Sequence, residues 1–232
     1  MRLLRFVALA AAVSLATAGQ AWAGAHEYLN PNFAAIAREH KTLAILPFTV
    51  TIAPHSQSGW DKGGYGSGSR AQTSAQLVDG KGRLFQKILC EFLSQRLMQK
   101  PIRNAGAVSI QDPDSTLALL RGAGISLDSL QFHGKDEIAR VLGVDAVVSG
   151  SVHEPKPTLK DVTLSSVIGI FDELVQRVLV VVTVYNGGDA QVLWSYDRWD
   201  SGTDRADKLP KVVERMVESQ LKKAAASIPY AK

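Results

Sequence analysis

The chain has 232 residues, 46% of them hydrophobic, with 26 Lys and Arg against 22 Asp and Glu and a formal net charge of +4. That mild basicity is spread along the chain, with no Lys/Arg-rich block and no basic patch interleaved with aromatics, which excludes nucleic acid as an expected partner. A lone cysteine, Cys90, excludes an internal disulfide framework, so the domain must rest on its apolar core.

The first residues read as a targeting segment. Arg2 and Arg5 make a positive start, Phe6 to Ala18 form a short apolar run, and "AWA" at 21–23 supplies the small-x-small cleavage pattern. The run is shorter than the roughly 20 residues a spanning helix needs. It carries no Arg-Arg pair, so the general secretion route is expected. Cleavage near Ala23 would leave a mature chain of 209 residues (232 less 23), read as one domain over 24–232. No Cys follows the cut, so a non-lipidated periplasmic or secreted protein is expected.

"NPNFAAIAREH" predicts a short helix capped by Asn30, with Pro31 at its first position. "KTLAILPFTVTI" reads as a strand whose ladder Pro47 interrupts or places near an edge. Residues 53–82 read as a flexible Gly/Ser-rich insertion, with five Gly between Gly59 and Gly68 and two aromatics, Trp60 and Tyr65. Loops of such length are either functional or disordered. As a contact surface this one would offer Trp60, Tyr65 and Arg70.

From Leu84 to Met98, Phe85, Ile88, Leu89, Phe92, Leu93 and Leu97 recur at helical spacing. Cys90 sits beside that stripe and reads as a small packed residue, the alternative being a reactive or intermolecular thiol. "GAVSIQ" is a short strand. "DPDSTLALLRGAG" is a capped helix ending at Gly122 or Gly124, and "GKDEIARVLG" is a helix with acids in its first turn, where the dipole favours them.

"VDAVVSGSV" is a strand. Residues 155–175 suit either a hairpin or a helix. "DELVQRVLVVVTVYNGGDAQVLWSYDRWD" predicts a hairpin turning at 186–189. Its first strand alternates Val178, Val180, Val182 and Val184 with Leu179, Val181, Thr183 and Tyr185. Both faces are largely apolar, so a mid-sheet position covered on both sides is expected. "LPKVVERMVESQLKKAAASI" closes the chain as an amphipathic helix. The element order implies an α/β fold, a single mixed β-sheet flanked by helices, with the Gly-rich loop inserted.

Catalytic signatures are lacking. "DGKGR" is no phosphate loop, Gly64, Gly66 and Gly68 do not form G-x-G-x-x-G, and no serine sits in a G-x-S-x-G elbow. The five His are scattered without metal-ligand spacing, so no catalytic residue, metal or cofactor is expected. An enzyme would have to gather distant groups such as Asp145, His133 and Asp197. Asp145 falls at a helix-to-strand corner, after the natural helix stop Gly143 and before Gly150, which signals a bulge or a close backbone approach. A carboxylate there can accept backbone N–H bonds, so this trio reads as a structural corner.

"KTLAILPF", the amphipathic helix, "AVSIQDPDSTLALLRGAGISLDSL", "IARVLGVDAVVSGSV" and "VVVTVYNGGDAQVLWSYDR" together resemble the shared core of the CsgG, LpoB and TolB N-terminal superfamily of bacterial envelope proteins. The resemblance covers roughly 41–228 without the Gly-rich loop. It implies a TolB-N/CsgG-like domain that works by binding, as in activators of peptidoglycan synthases, envelope assembly factors and curli-secretion channel subunits. Many members carry a lipidated Cys, which this chain lacks after its signal. Channel members insert long alternating hairpins, which 59–80 does not offer. The expected role is a non-enzymatic periplasmic adaptor or assembly factor with an envelope protein as partner. The alternative is a subunit of an oligomeric ring or secretion channel at the outer membrane, touching the membrane only indirectly or through self-association.

Overall fold

The structure, a computed structural model, describes residues 25–52, 67–99, 108–159, 173–205 and 208–231. Among them, eight strands form one mixed sheet: β1 (His26–Leu29), β2 (Thr42–Ile45), β3 (Thr49–Ile52), β4 (Ser109–Ile110), β5 (Ala146–Glu154), β6 (Thr158–Leu159), β7 (Glu173–Asn186) and β8 (Val192–Arg205). The helices are α1 (Phe33–Ala37), α2 (Ser67–Gln99), α3 (Pro113–Gly122), α4 (Lys135–Leu142) and α5 (Leu209–Ser227). The main path across the sheet runs β1-β8-β7-β5-β2-β4, with β3 also pairing β5 and β6 pairing β7. β2, β4 and β5 are mutually parallel neighbours, while β1, β8, β7 and β5 alternate in direction. This is the single α/β domain expected from the element order.

Pro47 interrupts its strand as predicted. Ile45 pairs with Val148, but Thr49 pairs with Ser151, so four steps on one strand match three on the other and the surplus residue bulges between β2 and β3. The bulge turns Phe48 into the space above Gly150, where a Cβ would lie 2.2 Å from the Phe48 ring. Gly150 is thus a point of close approach.

Packing divides the sheet into two layers. On one face α2 and α5 bury Leu43, Ile45, Val148, Val152, the four valines 178–184 and Trp194 against Phe85, Leu89, Leu93, Val217 and Leu221. On the other, α3 and α4 cover β2, the start of β5 and the last residues of β7, where Ala44, Leu46 and Val147 meet Leu120, Ile138 and Leu142. Asp112 caps α3 by accepting from the Ser115 N–H at 2.8 Å, with Pro113 at the first turn. Gly143 ends α4 at φ +66°, and Gly124 follows α3 at φ +76°.

Three expectations need correction. Helix α1 starts at Phe33 and not at Pro31: Asn32 is its N-cap, while the Asn30 side chain accepts from the Asn32 N–H at 2.8 Å and closes the preceding turn. Helix α2 begins at Ser67, so 67–82, read as part of the flexible insertion, is helical; residues 53–66 lie outside the described residues. The glycines that suggested a loop include Gly82, whose Cβ would come 2.3 Å from the Phe48 carbonyl oxygen and whose own carbonyl accepts from the Phe48 N–H. That Gly serves contact between helix and strand. Lastly, β7 does sit between β5 and β8, yet among the described residues only one of its faces is covered.

Candidate functional site

That uncovered face is the most distinctive surface of the domain. In β7 the even-numbered valines 178–184 are fully buried, whereas Leu179, Val181, Thr183 and Tyr185 are only partly so. Strand register lines up their neighbours in rows. Thr183 lies opposite Ser149 of β5 and Ser195 of β8, and Ser195 opposite Tyr28 of β1. Val181 lies opposite Ser151 and Asp197, and Asp197 opposite His26. Leu179 lies opposite His153 and Trp199, whose rings meet edge to face at 6.4 Å. Tyr28 is 47% exposed. The surface is therefore a flat field of Tyr, Trp, Leu and Val set among Ser and Thr, with His26, His153 and Asp197 as its ionisable members.

Its outer border is β1, an edge strand all four of whose residues are exposed. β1 is held from beneath: Trp194 Nε1 donates to Glu27 at 2.8 Å, the Asn30 N–H donates to the Leu193 carbonyl at 2.9 Å, and Asn30 Nδ2 donates to the Val192 carbonyl. The chain thus enters the fold as a strand strapped to the hairpin.

The corner at Asp145 is a hub between segments far apart in sequence. Its carboxylate accepts from the backbone N–H of Lys41 and Thr42, at 2.8 and 2.9 Å, and from the Thr42 hydroxyl at 3.1 Å. Burial pushes this carboxyl up. The N–H donors and the hydroxyl outweigh it and hold the group below the usual carboxylate range. His40 itself is buried, accepting from the Tyr230 hydroxyl at Nδ1 and donating from Nε2 to Asn186 Oδ1 at 3.1 Å. Burial, and then Asp145, raise the Tyr230 phenol. Through these bonds the cluster locks the C-terminal turn and the hairpin turn onto the start of β2.

The residues singled out in the sequence are not brought together. Asp145 sits at this corner; His133 is partnered with Glu137 at 3.2 Å one helical turn away; Asp197 lies on the open sheet face. Trp60 and Tyr65 fall outside the described residues, and Arg70 lies in the first turn of α2, beyond the residues whose side chains are described. Cys90 is half-buried beside the core, its thiol raised by burial. Among the described residues no group of three or more His, Cys, Asp or Glu is placed to hold a metal ion, and no helix is long and apolar enough to cross a membrane. Sequence reasoning missed the open face. The signal was present in the Ser and Thr of the flanking strands, but only their register shows that they share its rows.

No family model and no curated protein matches the chain. Among solved structures it is similar to the PelC dodecamer of Paraburkholderia phytofirmans, at 14% identity over 86% of this chain and 92% of that one, with a TM-score of 0.38. The lipoprotein GNA1162 of Neisseria meningitidis gives 12% identity over 77% and 96%, with a TM-score of 0.39. The C-terminal domain of LpoB from Escherichia coli gives 11% over 71% and 82%, with a TM-score of 0.29. LpoB is one of the groups that the sequence words resemble. At such scores the likeness is distant and says nothing of what this chain binds.

Proposed function

We propose that the protein is a non-enzymatic periplasmic adaptor or assembly factor of the bacterial cell envelope, acting by protein–protein binding. The observation that carries this reading is the open sheet face. A field of Tyr28, Tyr185, Trp199, Leu179 and Val181 on rigid strands has the composition of an interface core, rich in aromatics and poor in Lys and Glu. Rigid strands lose little entropy on docking, which favours a preformed binding surface. The sequence words shared with the envelope superfamily support the same class of role. Trp60, Tyr65 and Arg70 are proposed as a second contact to the same partner.

The test pairs two measurements on the mature chain. Light scattering, with and without detergent, should give a monomer. A photo-crosslinking residue in place of Val181 should then capture an envelope protein in the periplasm that the same residue in place of exposed Glu218 on α5 does not. Equal capture at both positions would sink the proposal.

The exposed edge strand β1 favours a second reading, a subunit of an oligomeric ring or secretion channel, because unpaired strand edges are templates for pairing between copies. A large closed oligomer in light scattering would put this reading first.

A further inference from the structure

Aspartate is among the residues least suited to the middle of a strand, yet Asp197 stands sixth of the 14 residues of β8, paired on both sides, with Val181 of β7 and His26 of β1. We infer that Asp197 is the specificity determinant of the open face, a carboxylate that receives a Lys or Arg carried among apolar residues on a segment of the partner protein. The inference rests on the adaptor reading and names the chemistry that the partner must bring.

Other aspartates have structural partners. On the same strand Asp200 accepts from the Gln220 amide and the Ser201 N–H, and Asp204 accepts from the Arg205 N–H. Asp112 caps α3, and Asp145 gathers the backbone donors at β2. Asp197 has neither a hydrogen bond nor an ion pair among the described residues. Its side chain is half-buried, and around it on the open face stand Val181, Ser151, Ser195, Tyr28 and Trp199, with His26 opposite. The nearest Lys or Arg of β7 on that face is Arg177, four residues from Val181. That is about 13 Å along the strand, too far to pair. A charge thus sits inside a sheet, in a local environment that disfavours it, with nothing in the described fold to compensate. Such unrepaid exceptions mark functional positions.

Docking across this row takes the carboxylate out of water. A partner that covers it with apolar or acidic groups leaves a buried, unpaired charge and is rejected on that account. One that brings an ammonium or guanidinium offsets the desolvation with a charge-assisted hydrogen bond, made in a setting drier than solvent. Tyr28, Val181 and Trp199 supply the surrounding apolar contact that excludes water from such a pair. Strand pairing on both sides already fixes the Asp197 backbone, so little order is lost on docking. Charge selects the partner here, and apolar surface holds it.

In the test, a photo-crosslinking residue in place of Val181 marks the docked segment, and mass spectrometry reads its sequence. The matching synthetic peptide is then the probe for fluorescence anisotropy with the mature chain. The segment is expected to carry a Lys or Arg. Replacing that residue by Ala, or Asp197→Asn in the protein, should each weaken binding about tenfold or more, and both together no more than either alone. Asp197→Lys should abolish binding of this peptide and restore it in part for a peptide with Glu in place of the cation. Glu218→Gln on α5 should change nothing. Circular dichroism of each variant separates lost binding from lost fold. A captured segment without Lys or Arg, or an affinity that Asp197→Asn leaves within about twofold, overturns the inference and leaves the adaptor reading standing. Capture at Val181 no greater than at Glu218, or capture of a second copy of this chain, overturns the adaptor reading and this inference with it.

Discussion

Strand β7 presents two faces made from nearly the same residues with opposite fates. Val178, Val180, Val182 and Val184 are fully buried under α2 and α5, while Leu179, Val181, Thr183 and Tyr185, one residue out of phase, stay partly exposed. Side-chain chemistry alone does not separate the two sets. What separates them is the layer above: two long helices on one side, and on the other two shorter ones that reach β2, the start of β5 and the last residues of β7. Apolarity in a strand therefore states what it would bury, not what covers it. Burying a Val side chain contributes about 1.5–3 kcal/mol, and the covered set collects that in full.

The largest effect should come from placing one charge on each face. Val180→Asp buries a carboxylate with no partner and should cost more than about 4 kcal/mol, leaving little folded protein. Val181→Asp, next to it but turned outward, should cost less than about 1 kcal/mol. Urea denaturation of the pair measures the asymmetry, and equal losses would mean that the second face is covered too.

Glycine substitutions sharpen the density of the covered side. Gly80 and Gly82 both lie in α2, where Ala is intrinsically better by up to about 1 kcal/mol. A Cβ at Gly80 meets nothing within 4 Å, whereas at Gly82 it would meet the Phe48 carbonyl oxygen at 2.3 Å. Gly80→Ala should accordingly stabilise, and Gly82→Ala destabilise by about 1–3 kcal/mol. Gly150→Ala should destabilise similarly, but there the obstacle is the Phe48 ring. Phe48→Leu in the same chain should recover part of the loss at Gly150 and none at Gly82.

These sites also show what was legible beforehand. The stripe from Phe85 to Leu97, the break at Pro47, the stop at Gly143 and the hairpin turn are local signals, and each appears in the fold. The start of α2 was hidden because glycine means loop in a sequence window, while Gly82 is shaped by a strand more than thirty residues upstream. The corner had one readable member. Asp145 could be placed at a turn, but its donors Lys41 and Thr42 lie more than 100 residues away, and His40 meets Tyr230 across 190. The open face was unreadable from β7 alone, since its rows are completed by Ser149, Ser151, Ser195 and Asp197 from other strands.

Asp145 tests whether that corner stabilises the fold or serves chemistry. Its folded pKa lies below the unfolded value of about 3.9, so its contribution is full above that value and is lost as pH falls through the folded one. Asp145→Asn keeps the shape and removes the charge. It should cost about 1 kcal/mol at pH 7, the scale of a charge-assisted hydrogen bond discounted for solvent. The gap from the wild type should start to narrow below about pH 4 and close once the folded carboxyl is itself protonated. A gap that persists below the pH at which NMR shows the folded Asp145 carboxyl protonated would assign the loss to geometry and not to charge.

The smallest effect is expected where the comparison began. Leu179→Ser and Val181→Ser remove apolar surface that the fold only half covers, so each should move the urea midpoint by no more than about 0.5–1 kcal/mol equivalent, with an unchanged slope. Leu179 lies between His153 and Trp199, so it should cost slightly more than Val181, whose neighbours are Ser151 and Asp197. If the face exists to bind, the same two variants should lose far more in partner capture than in stability. A surface retained only for packing would lose the two together.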